Sequence, residues 1–126
     1  MNTELIKNFM QLVVKHSPHC FINSRFELII EPKHNIYFLL DDIETELDLK
    51  CKVIAWLSRP SIKGISEYWQ IRIRALFNEF LGTSFTYSQM EQIYTYLGNG
   101  INKGKCIEFI NANYDLSLLK REDYKN

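Results

Sequence analysis

A chain of 126 residues has room for one ordinary hydrophobic core and not for two. With 46% hydrophobic and 24% charged residues it is not a disordered sequence, and fifteen basic side chains against fifteen acidic ones match neither a strongly basic duplex binder nor an acidic DNA mimic. A net charge of zero gives little colloidal repulsion, which leaves a homo-oligomer open. Three widely spaced cysteines, Cys20, Cys51 and Cys106, do not make a disulfide framework, and polar residues interrupt every apolar run. The expectation is a cytoplasmic protein with no membrane segment.

Residues 3–16 place Leu5, Ile6, Phe9, Met10, Leu12 and Val13 on one stripe and Glu4, Lys7, Asn8, Gln11 and Lys15 on the other, which predicts an amphipathic helix. Asn2 or Thr3 can cap it, and Pro18 stops it by lacking an amide hydrogen and restricting Ser17. From Phe26 to Leu40 the period falls to two. Phe26, Leu28 and Ile30 alternate with Glu27, Ile29 and Glu31, and Ile36, Phe38 and Leu40 with Tyr37 and Leu39, so a β-hairpin turning at residues 32–35 is expected. Two strands are marginal alone, so this hairpin needs cover from helices or a further strand.

Residues 46–53 carry two signals. Leu47, Leu49, Cys51 and Val53 alternate like a third strand, whereas Thr45 and Asp48 form a capping box for a helix running to Arg59, where Pro60 would end it. The helix is the expectation and the strand its competitor. Residues 60–64 connect to the most strongly patterned stretch, in which Ser66 opens a helix carrying Trp69, Ile73, Leu76, Phe77 and Phe80 inward and Glu67, Gln70, Arg74 and Asn78 outward, with Gly82 as its stop. Thr86 and Gln89 box the start of a helix burying Met90, Ile93, Tyr94 and Leu97, and Gly98, Asn99 and Gly100 end it. A last helix over residues 103–112, capped by Asn102, turns Cys106, Phe109 and Ile110 inward, with a final turn bearing Leu116, Leu118 and Leu119. The predicted fold is a single α+β domain over residues 1–119: an N-terminal helix, a β-hairpin with room for a third strand, and a C-terminal bundle of about four helices, followed by a loosely ordered tail at 120–126.

No catalytic or cofactor signature emerges. His16, His19 and Cys20 lie close together, but a zinc site would need a fourth ligand from His34, Cys51 or Cys106, and no Cys-x-x-Cys or His-x-x-x-His pair supports it. Neither a cofactor nor an enzyme is expected. Two charged patches remain. Asp41, Asp42, Glu44, Glu46 and Asp48 put five carboxylates in eight residues, which read as a dipole-stabilised helix start or as a surface for a basic partner. Downstream, Lys50, Lys52, Arg59, Lys63, Arg72 and Arg74 face only Glu67, and with Tyr68 and Trp69 they could contact nucleic acid. Residues 87–112 form a helix-turn-helix with Lys103 and Lys105 at its second helix, although the linker is long for a DNA-reading turn.

The run W-L-S-R-P-x-x-K-G, Tyr68-Trp69-Gln70, L-G-T-x-F-T-x-x-x-M-E-x-I-Y-T-x-L-G-N and the closing Y-D-L-S-L-L resembles a group of small uncharacterised proteins from phages and mobile elements of Gram-positive bacteria, over about the last two thirds of the chain. That resemblance implies a non-enzymatic protein that binds and inhibits a host protein, as anti-CRISPR proteins do to a CRISPR effector nuclease. The partner surfaces expected are Asp41, Asp42, Glu44 and Glu46 with Arg59, Lys63, Arg72 and Arg74. The alternative is a nucleic-acid-binding regulator using Lys63, Arg72, Arg74, Lys103 and Lys105.

Overall fold

The computed structural model describes residues 2–34, 36–57, 66–98 and 102–120. In order, the elements are α1 (Thr3–His16), β1 (Phe21–Ile22), β2 (Glu27–Glu31), β3 (Ile36–Leu39), α2 (Glu46–Leu57), α3 (Glu67–Leu81), α4 (Tyr87–Leu97) and α5 (Lys103–Asn111). Short 3-10 turns lie at Pro32–His34 and Leu116–Lys120. The architecture is α+β, an N-terminal helix and a small antiparallel sheet followed by four helices, as the changes of period predict. The connector at 60–64, Asn99 and Gly100, and the tail beyond position 120 lie outside the described residues. No helix among the described residues is long and apolar enough to cross a membrane.

The caps fall where the sequence places them. Asn2 accepts the Leu5 N–H at 3.1 Å to open α1, and the Ser17 N–H closes it on the Val13 carbonyl. Ser17 is itself buried and donates its hydroxyl to the Ile30 carbonyl at 2.7 Å, which ties the end of α1 to β2. Thr86 and Gln89 close their capping box at α4, and Asn102 accepts the Lys105 N–H at α5.

The sheet has order β1-β2-β3, with all pairs antiparallel. Its third strand therefore precedes the hairpin, and the competing strand at residues 46–53 is instead the first part of α2. Two forces set that outcome. Thr45 and Asp48 bond reciprocally at 3.1 Å to start a helix, and α2 packs against both α3 and α5, with Leu49, Val53 and Ile54 buried and Cys51 in contact with Cys106 of α5. Burial on more than one side imitates the alternation of a strand. A bulge between Ile29 and Glu31 makes a second departure, because it puts Ile30 and then Glu31 on the inner side and leaves Glu31 only 6% exposed.

The core centres on aromatic side chains brought together from four elements. The rings of Phe9, Phe38 and Phe77 lie within 5.7–6.3 Å of one another, Phe80 meets Phe9 edge-on at 5.0 Å, and Trp56 meets Phe77 edge-on at 5.3 Å. A second group of Phe85, Tyr96, Phe109 and Tyr114 joins α4, α5 and the segment after it. Tyr96 takes the buried position expected of Tyr94, which is half-buried. Asn78, predicted on the wet side of α3, instead binds the Phe85 carbonyl at 3.0 Å, the Phe85 N–H at 3.0 Å and the Thr83 hydroxyl at 2.7 Å. Gly82 takes φ 72°, the left-handed conformation that ends α3, and Asn78 fixes the turn that follows.

Phe77→Ala should cost about 3–5 kcal/mol by removing the ring that meets Phe9, Phe38 and Trp56. Asn78→Ala should cost about 1–3 kcal/mol by orphaning the Phe85 backbone groups. Urea denaturation followed by circular dichroism checks both, and an Asn78→Ala protein as stable as the parent would remove the turn from the account.

Candidate functional site

The outer face of the sheet carries a row of apolar side chains, with Glu27 beside Leu39 at its end. Register aligns Phe21 of β1 with Ile29 of β2 and Tyr37 of β3, and Leu39 lies two residues further along β3 on the same face. Phe21 and Leu39 are each 47% exposed and Tyr37 39% exposed, so a row of large side chains crosses the sheet in contact with solvent. The Trp56 indole donates to the Tyr37 carbonyl at 2.8 Å, binding α2 to the strand at the sheet's edge.

β3 leads directly into the acidic run, and hydrogen bonds hold that run in one shape. Ile43 is fully buried beneath it, and its carbonyl accepts the Asn2 N–H at 3.2 Å. The Asn2 side-chain amide donates to the Glu44 carbonyl at 3.2 Å, while one oxygen of Asp48 accepts the N–H groups of Glu44 and Thr45, both at 3.1 Å. Asp42 takes φ 61°, a left-handed turn conformation that aspartate tolerates. Asp41 pairs with Lys52 at 3.0 Å and Glu46 with Lys50 at 3.1 Å, yet both carboxylate side chains keep 66% exposure. Asp41, Asp42, Glu44 and Glu46 thus form an exposed, fixed ridge beside the apolar row.

The carboxyl groups respond to these contacts. Asp48 is held below the usual carboxylate range, first by the Glu44 and Thr45 N–H groups, and Asp41 is held low by the hydrogen bond and charge of Lys52. Beside the ridge, α2 and α5 flank an open cavity of about 280 Å³ lined by residues that include Asp42, Asp48, Cys51, Lys52, Lys103 and Cys106.

Among the described basic candidates, Arg72, Lys103 and Lys105 each bond a group of this chain. Arg59 and Lys63 lie outside the described residues. Arg72 lies over the rings of Tyr68 and Trp69, each 5.4 Å from the guanidinium carbon; it donates to the Tyr68 hydroxyl at 3.0 Å and also to the His16 carbonyl. There it caps the negative end of α1, a role no local sequence signal announces. Arg74 is half-buried on α3. Lys103 reaches Asp48 at 3.5 Å, and Lys105 donates to the Tyr96 carbonyl at 3.2 Å with its ammonium above the Tyr96 ring.

His16 bonds Glu79 at 2.8 Å, joined by Lys15 at 2.9 Å, and Lys15 first and His16 second hold the Glu79 carboxyl low. Among the described residues no group of three or more His, Cys, Asp or Glu side chains is arranged to hold a metal ion. A second cavity of about 470 Å³ is lined by His19, Glu31, Pro32, Lys33 and Trp69, and the Glu31 carboxylate there accepts the Lys33 N–H at 3.2 Å. Compared with protein-family models, with curated proteins and with solved structures, the chain matches none of them.

Strand β1, and with it the apolar row, escapes periodicity because it is two residues long. The turn behind it was the signal that could have found it: Asn23 accepts the Arg25 and Glu27 N–H groups at 3.0 and 2.9 Å, an Asx turn between two apolar pairs.

Asp41, Asp48 and Glu79 have folded pKa values below their unfolded ones, so their stabilisation is present above about pH 4 and is lost as pH falls through the folded values. The unfolding midpoint should therefore drop as pH falls below about 4 and on through the folded values, and Asp48→Asn should make that drop shallower in thermal scans. Arg72→Ala should cost about 1–3 kcal/mol in urea titrations. Arg72→Lys should not restore the loss, because one ammonium cannot stack on two rings and bond two oxygens.

Proposed function

We propose that the chain is a non-enzymatic protein of a phage or mobile element that binds a host protein and inhibits it, and that the host protein is a CRISPR nuclease. One observation carries this reading: an apolar row, with Phe21, Tyr37 and Leu39 exposed and Ile29 half-buried between them, runs into a ridge of four exposed carboxylates whose backbone is fixed before any partner arrives. An apolar centre supplies buried area and aromatic anchors, while a charged rim sets orientation and association rate. Guide-loaded nucleases hold their heteroduplex in a positively charged channel, to which an acidic ridge is complementary. The pre-set ridge lowers the entropy lost on docking. The nucleic-acid reading has less support, since Arg72, Lys103 and Lys105 each already bond a group of this chain.

The test is DNA cleavage by a panel of purified, guide-loaded CRISPR nucleases with this protein at stoichiometric and tenfold ratios (about tenfold excess). Inhibition of one panel member, weakened about tenfold or more by Asp41→Asn, Asp42→Asn, Glu44→Gln and Glu46→Gln together and independently by Tyr37→Ser with Leu39→Ser, supports the proposal. It is overturned by the absence of inhibition across the panel, or by variants that inhibit as well as the parent. It is replaced by the nucleic-acid reading if the protein alone shifts DNA or RNA with a steep salt dependence.

A further inference from the structure

We propose that Cys51 and Cys106 form an oxidisable dithiol, which a peroxide entering the cavity between α2 and α5 converts to an intramolecular disulfide. The two residues are 55 apart in sequence, yet the Cys106 thiol donates to the Cys51 carbonyl at 3.9 Å, and both residues line the same cavity. The helices that carry them pack directly against each other. This inference does not rest on the proposed function, and none of the surface positions tested there is a cysteine.

The two sulfurs differ in access and in character. Cys51 is 8% exposed at the cavity wall, whereas Cys106 is 1% exposed behind it. The hydrogen bond from Cys106, and then the nearby Lys103 ammonium, pull the Cys51 thiol below its ordinary range, against burial and the Asp48 charge. The same contact and burial push the Cys106 thiol far up, so it keeps its proton. Thiolate character and access belong to one sulfur and proximity to the other, the division of labour between an attacking and a resolving cysteine. Cys20 serves as the internal comparison: it is half-buried, burial raises its thiol, and it does not line this cavity.

The chemistry balances with hydrogen peroxide as the oxidant. The Cys51 thiolate attacks one peroxide oxygen, the O–O bond breaks, and hydroxide leaves, giving a sulfenic acid at Cys51. The Cys106 sulfur then attacks the Cys51 sulfur, the S–O bond breaks, and the departing hydroxide takes the Cys106 proton as water. Two thiols and one peroxide become one disulfide and two waters. The new bond ties α2 to α5 and closes a long loop, which restricts the unfolded chain.

The experiment treats the full-length reduced protein with hydrogen peroxide, then quenches, alkylates in denaturant and digests for mass spectrometry. The expected result is a Cys51–Cys106 linked peptide with Cys20 still alkylated, full reversal by dithiothreitol, and a higher thermal midpoint for the oxidised protein. Cys106→Ser should instead leave a sulfenic acid on Cys51 that dimedone traps. Cys51→Ser should slow oxidation of the remaining thiols about tenfold or more. The proposal is overturned if all three cysteines remain alkylatable after treatment, if Cys20 is oxidised first, or if the product is a dimer linked through Cys20.

Discussion

The structure depends on one junction, the meeting of Phe9, Phe38 and Phe77. Each ring comes from a different element, α1, β3 and α3, and Trp56 brings α2 to the same place. A sheet whose first strand is two residues long cannot stand by itself, so its inner face must be covered by helices. Phe38 is the side chain through which that cover is made, and Leu28, Ile30 and Ile36 complete the buried face around it. The apolar row on the outer face exists only because this inner face is satisfied.

The second aromatic group, around Phe109, organises the C-terminal helices and meets the first through α2. That helix packs against α3 on one side and α5 on another, which is why its buried residues are distributed around its axis. Polar groups then fix what apolar packing leaves free. Ser17 ties α1 to β2, Arg72 ties α3 to the end of α1, and Asn78 holds the turn into α4. These bonds are individually modest, but each satisfies a backbone group that would otherwise be left unpaired.

The elements visible in the sequence are those whose determinants are local. Period and caps alone predict α1, α3, α4 and α5 to within a residue or two, and the Thr45–Asp48 box selects helix over strand for α2. The features missed are those created by distant partners. Glu31 follows the outward half of a strict alternation, and only the bulge turns it inward. Arg72 and Asn78 look like solvated residues of α3 until α1 and the Phe85 backbone are placed beside them. The acidic run was legible as a patch, but its rigidity was not, because that comes from Asn2, more than forty residues away by the measure of its bond to Glu44. The pairing of Cys51 with Cys106 likewise depends on the packing of α2 against α5.

A chain of zero net charge can still present a strongly polarised surface, and this one does so by unequal neutralisation. Lys50 and Lys52 are mostly covered, at 28% side-chain exposure, while the carboxylates they pair with, Glu46 and Asp41, remain at 66%. The lysines are thus largely covered while the carboxylates they pair with stay open to solvent. An approaching cation therefore meets the acidic side of each pair first. Surface pairs of this kind contribute little to stability, so the exchange of Lys52 for a partner's arginine at Asp41 would cost the fold little. The fold thus confines its obligatory interactions to the two aromatic groups and the backbone pins, and leaves the charges of the ridge available for exchange.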